Sequence, residues 1–133
     1  LRHWRWAVLV ALTACLAGCA TLGERETAAS RAALRFADSV RQADGPRACA
    51  ALAPETRQEL EQSAESPCPE ALLQEDLTYD GRVRSVQVYG QQARVVLDTD
   101  TLFLSRFPTG WRITAAGCEP RPQRPYQCQV KGG

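Results

Sequence analysis

Histidine, lysine and methionine are nearly missing from this chain of 133 residues. Histidine occurs once, at His3, lysine once, at Lys131, and methionine not at all; the other 15 of the 16 basic residues are arginine. With a single imidazole at the extreme N-terminus, Ser-His-Asp and Cys-His chemistry has no base placed to serve it. No Cys-x-x-Cys pair occurs, so the sequence offers neither a thioredoxin-like redox motif nor a paired-cysteine zinc site. No glycine-rich phosphate loop is present, because the glycines fall singly at turns or at the chain end. Charge of one sign is lacking too. With 16 basic against 15 acidic residues the formal net charge is +1, and nucleic acid meets no strong basic field. No apolar run is long enough to span a membrane, and the length leaves room for one domain.

What is present begins at the N-terminus. Arg2, His3 and Arg5 precede the run AVLVALTACL at residues 7–16, and the small residues Ala17 and Gly18 follow. This is the pattern of a secretory signal, with a basic n-region and a short apolar h-region. Ten residues rise about 15 Å as a helix, roughly half of the hydrocarbon core, so a permanent span is the poorer reading. The chain opens on Leu1, as an unusual start codon read literally or a trimmed sequence would give. The arginine bias fits a GC-rich bacterial genome.

The four residues Leu16-Ala17-Gly18-Cys19 resemble the lipobox of bacterial lipoproteins. The resemblance implies that the Cys19 thiol receives a diacylglyceryl group and that the signal, residues 1–18, is cleaved just before it. Two or more acyl chains of the palmitate kind hold a protein stably, whereas a single chain holds it marginally. The expected location is the extracytoplasmic face of the cell membrane, with the lipid on Cys19 as the membrane contact. Cleavage would remove Arg2 and Arg5, His3 and Cys15, leaving 14 basic and 15 acidic side chains.

Processing leaves Cys49, Cys68, Cys118 and Cys128, an even set in an oxidising compartment, which reads as two disulfides. Of the three possible pairings, Cys49–Cys68 and Cys118–Cys128 are the local ones. The first would close a helical hairpin and the second would staple the stretch EPRPQRPYQ at residues 119–127.

Residues 19–27 read as lipidated cysteine and tether, and residues 28–133 as the domain. A helical period sets in from about Glu26, with Ala29, Ala33, Phe36, Ala37 and Val40 on one face. Asp44-Gly45-Pro46 should end it, with Gly45 in the left-handed conformation. Further short helices are expected at residues 46–52, from Pro54 through Ala64, and at 70–73. The period then changes. Residues 82–89, 93–97, 101–107, 111–116 and 126–130 are β-branched or aromatic segments separated by Gly90, by Pro108-Thr109-Gly110 and by Gly117. Helices first and an antiparallel meander second make an α+β domain, with the helices packed on one sheet face.

This order, together with the segments LFLSR at 102–106 and GWRITAAGC at 110–118, resembles small lipoproteins of high-GC bacteria with an NTF2-like (SnoaL-like) cone, over roughly residues 26–131. The resemblance implies a curved sheet and a cone that often encloses an apolar cavity for a small ligand. It also raises a rival function, an enzyme of the SnoaL or ketosteroid-isomerase type using a buried carboxylate.

Such an enzyme needs a carboxylate in its pocket, and the candidates are few. Asp98 and Asp100 flank Thr99 and read as a polar hairpin rather than a cation site. Asp76 and Asp80 read as loop solvation, and Asp38 lies beside the buried helix stripe rather than on it. Trp111, Phe103 and Phe107 read as core or pocket wall. Arg121, Arg124 and Tyr126 lie in an extended proline-rich loop and form the candidate partner-binding set, offering charge and stacking. No cofactor, metal or catalytic residue is expected. The function these features favour is a non-catalytic binding or accessory module of the cell envelope, whose partner is an envelope protein or a small apolar ligand. A structural envelope lipoprotein is the remaining alternative.

Overall fold

The structure is a computed structural model that describes residues 20–79 and 82–132. The signal segment and Cys19 lie outside the described residues, as do Asp80 and Gly81. Four helices come first: α1 (Leu22–Arg41), α2 (Gly45–Ala50), α3 (Pro54–Ala64) and α4 (Cys68–Gln74). Five strands follow: β1 (Val83–Tyr89), β2 (Gln92–Leu97), β3 (Thr101–Phe107), β4 (Gly110–Arg121) and β5 (Arg124–Lys131). They form one sheet in sequence order, antiparallel throughout. This is the expected α+β arrangement. Among the described residues no helix is long and apolar enough to cross a membrane.

The longest helix is amphipathic with a stripe of small residues. Ala29, Ala32, Ala33 and Ala37 are buried around Phe36. One large side chain among four alanines lets the helix lie close to the sheet, whose Ala93, Val95, Leu97, Leu102, Leu104, Ile113 and Val130 complete the same core. Helix α1 begins earlier than its apolar period indicates. Thr21 accepts from the Glu24 N–H at 3.2 Å, and the Glu24 carboxylate accepts from the Thr21 N–H at 3.3 Å. This capping box satisfies two donors that the helix start leaves open and contributes about 1 kcal/mol. The tether assigned to residues 19–27 is corrected accordingly, since Leu22 to Thr27 are helical.

Gly45 also departs from expectation. The left-handed residue after α1 is Ala43, at φ 56°. Gly45 is instead the first residue of α2, capped by Asp44, whose side chain accepts from the Arg47 N–H at 3.2 Å. Glycine is needed there for a tertiary reason, because a Cβ would come within 2.9 Å of both Cβ and O of Pro69 in α4. Gly45→Ala should therefore lower stability by about 1–3 kcal/mol through overpacking, read as a lower urea midpoint at unchanged slope. Next to this contact Cys49 and Cys68 are disulfide-bonded, with Cα atoms 6.1 Å apart.

Backbone pairing joins the helical half to the sheet at Ile113, and the Thr56 hydroxyl adds a bond to the Thr114 carbonyl at 3.0 Å. Ala53 N–H donates to the Ile113 carbonyl at 2.8 Å, and Ile113 N–H donates to the Ala51 carbonyl at 2.9 Å. The α2–α3 connection thus pairs with β4 at Ile113, short of the stretch from Ala115 onward that pairs with β5, and covers backbone groups that would otherwise be an open edge.

Strand β4 carries the irregularities that bend the sheet. Leu104 pairs with Ile113, Phe103 with Ala115 and Thr101 with Cys118, so β4 has two residues more than β3 over the same stretch. Bulges of this kind bend a strand and increase its twist. Gly117, at φ 65°, lies inside this strand rather than ending it, contrary to the sequence expectation. Phe103 also departs from expectation. Leu102 and Leu104 are in the core, so alternation puts Phe103 on the other face of the sheet.

Candidate functional site

The carboxylates are the first place to look for chemistry, and Asp100 is the most heavily engaged of them. It sits at the β2–β3 turn. One carboxylate oxygen accepts from the N–H groups of Thr101 and Cys118, at 2.7 and 2.8 Å. The other accepts from the Gly117 N–H at 2.8 Å and from the Tyr79 hydroxyl at 2.7 Å. Four donors occupy the roughly four lone-pair positions of a carboxylate. The bulge in β4 is what turns the successive Gly117 and Cys118 N–H groups toward one acceptor.

Tyr79 is buried and packs edge-on against Phe36, with ring centroids 5.9 Å apart. Burial, followed by the adjacent negative charge of Asp100, raises its phenol far above the ordinary range, so it remains a donor. A polar pocket of about 200 Å³ opens beside this clamp, and Asp76 and Glu119 line it with Asp100. Asp98 is drawn elsewhere: it accepts from the Arg82 N–H at 3.1 Å and pairs with the Arg84 guanidinium. Those two contacts, the backbone one first, hold its carboxyl below the ordinary range. Asp98 and Asp100 therefore serve two separate anchors. Asp38 pairs with Arg41 and Gln42 on the helix surface. Among the described residues no three His, Cys, Asp or Glu side chains converge on a point where a metal ion would sit.

The stretch holding Arg121, Arg124 and Tyr126 is a β-hairpin rather than an extended loop. Strands β4 and β5 continue to Arg121 and from Arg124, leaving only Pro122 and Gln123 as the turn, with Gln123 at φ 55°. Cys118 and Cys128 face each other in register and are disulfide-bonded. Arg121 and Arg124 are exposed at the tip, and the Arg121 Nε donates to the Pro125 carbonyl at 3.1 Å. Tyr126 is half-buried and occupied elsewhere. Its ring meets Phe103 edge-on at 5.1 Å, and its hydroxyl accepts from Arg94 at 3.4 Å. The hairpin tip thus offers two cations, while the aromatic partner is tied to the sheet.

A third location was not singled out in the sequence. Arg35 from α1, Arg47 from α2 and Arg112 from β4 line one cleft of about 270 Å³, with Trp111 and Thr109 on its sheet side. Arg112 is held in place, donating to the Ala50 carbonyl and to the Thr109 hydroxyl, the latter at 3.2 Å. None of the described lining residues is acidic, and among the described residues neither Arg35 nor Arg47 forms an ion pair. Three guanidinium groups that form no ion pair among the described residues make a site of positive potential on a chain whose overall charge is close to zero.

A second hollow of about 340 Å³ shares Ala50, Thr109 and Arg112 with this cleft and continues along Leu52, Pro54 and Phe107. The two adjoin at Arg112 as one trench, basic at one end and mostly apolar at the other, where Arg57, paired with Glu61, is the further charged residue of the lining. The one sequence signal for it was the adjacency of Trp111 and Arg112; Arg35 and Arg47 enter from segments that only the fold brings together. No protein-family model, no curated protein and no solved structure matches this chain.

Proposed function

We propose that the chain is a membrane-anchored extracytoplasmic lipoprotein, acylated at Cys19, whose NTF2-like domain binds a partner or ligand in the cell envelope without catalysing a reaction. The observation that carries the binding reading is the basic end of the trench, where Arg35, Arg47 and Arg112 come from three elements and none of the described lining residues is acidic. The two disulfides support an oxidising compartment. The rival reading, an isomerase-like enzyme, needs a carboxylate free to take a proton inside an apolar cavity. Asp100 gives that reading no support, because all its acceptor positions are used and the pocket beside it is polar.

Anchoring and binding are tested in one expression experiment in a bacterial host fed an alkyne analogue of palmitate. Wild type should carry the label, and Cys19→Ala should lose it entirely; equal labelling of both would end the lipoprotein assignment. In the same preparations, wild type should retain a small-molecule component of the envelope extract after washing, detected by mass spectrometry. Arg35→Glu/Arg47→Glu should lose it, and retention by both proteins would remove the trench from the function.

A further inference from the structure

We infer that the trench holds one molecule of an anionic, phosphate-headed lipid with a single acyl chain. The phosphate would lie against Arg35, Arg47 and Arg112, and the chain would run along Leu52, Pro54 and Phe107. This rests on the binding reading above and narrows it to a ligand class.

Three features select the class. Guanidinium groups present planar pairs of donors that match phosphate oxygens, and three of them suit a group with more charge and more acceptors than one carboxylate. Arg112 is already oriented by Ala50 and Thr109, so one of the three donor sets costs little ordering on binding. The hollow that adjoins the cleft is mostly apolar, walled by Leu52, the half-buried Phe107 and the exposed Pro54, with Arg57 there already paired with Glu61, and a bare anion would leave that apolar wall unused. An amphiphile satisfies both ends at once. Hollows of about 270 and 340 Å³ are also the size of small-molecule sites.

The experiment uses the full chain in a neutral sugar detergent, with bound lipid counted by native mass spectrometry. The probes are 1-myristoyl lysophosphatidic acid, its zwitterionic lysophosphatidylcholine counterpart, and glycerol 3-phosphate as the head group without a chain. The expected result is a single lysophosphatidic acid adduct, with at least tenfold weaker apparent binding for each of the other two. Arg35 and Arg47 are exposed and make no ion pair among the described residues, so Arg35→Gln/Arg47→Gln should leave the fold intact. It should weaken the lysophosphatidic acid adduct at least tenfold. Arg31→Gln, exposed on the same helix but absent from the cleft lining, should bind as wild type does.

Equal binding of the zwitterionic lipid would overturn the anionic head, and equal binding of glycerol 3-phosphate would overturn the chain. Unchanged binding by the double variant would overturn the site. If no probe binds while the wild-type chain still retains an envelope component that the charge-reversed variant loses, the lipid class is wrong and the binding reading stands.

Discussion

Asp100→Ala should destabilise the domain by about 3–4 kcal/mol, among the most damaging single changes outside the apolar core. The carboxylate accepts four hydrogen bonds, and its removal strands four donors at once. A buried donor left unpaired costs about 1–3 kcal/mol, and the pocket beside Asp100 admits water to some of the four, which keeps the total below the simple sum. Asp100→Asn should lose nearly as much, because an amide keeps one acceptor but turns an N–H₂ group toward two existing donors. Tyr79→Phe removes a donor together with its need for a partner and should cost only about 1 kcal/mol. The two positions are in contact, so Tyr79→Phe/Asp100→Ala should cost less than the two single losses combined. Urea unfolding of the four proteins gives all of these values. A loss under about 1 kcal/mol for Asp100→Ala would mean that water replaces the clamp.

The hydrogen bonds of Asp100 also mark where the sequence stops being readable. That residues 98–100 form a hairpin follows from two aspartates between strand-like runs, and the period of two that sets Ala93, Val95 and Leu97 against Arg94, Val96 and Asp98 locates the buried side of β2. The clamp does not follow, because it depends on a bulge in β4 that delivers Gly117 and Cys118 from 17 and 18 residues away. Gly117 was legible as an irregularity but not as one inside a continuous strand.

Gly45 is similar. A glycine after a helix suggests a left-handed cap, yet its constraint comes from Pro69, which no local pattern connects to it. The start of α1 is a different kind of miss: Thr21 and Glu24 have the spacing of a capping box, and the small polar composition of residues 20–27 hid it. Phe103 shows the limit of reading aromatics as core, since its neighbours Leu102 and Leu104 already occupy the inner face. The trench is the least legible feature of all. The arginines of its basic end come from α1, α2 and β4, and each is ordinary on an amphipathic element; only the packing of α1 and α2 beside the β3–β4 turn makes them neighbours.

One disulfide ties α2 covalently to α4 next to that packing, and its removal is expected to have the second large effect. Cys49→Ala/Cys68→Ala should cost about 3 kcal/mol in the chain-entropy model, a large share of a stability of roughly 5–15 kcal/mol. The bridge closes a separation of 19 residues, both half-cystines are buried, and it ties α2 to α4 across the whole of α3. Cys118→Ala/Cys128→Ala should cost less. Its loop spans only 10 residues, and its strands are already paired in register on both sides of the bridge. The two losses should also differ in place. Without the first bridge, α2 keeps the buried Ala48, its packing against α1 and α4, and the pairing of the α2–α3 connection with Ile113, but loses its covalent tie to α4. Arg47 and the Ala50 carbonyl that orients Arg112 belong to that helix, so opening there loosens the trench itself. Hydrogen exchange should then speed up across residues 45–53 in Cys49→Ala/Cys68→Ala, with retention of the envelope ligand weakened in parallel. In Cys118→Ala/Cys128→Ala, faster exchange should be confined to the β4–β5 hairpin, with retention unchanged. Equal loss of retention in both variants would mean that the trench depends on global stability rather than on the local hold of α2.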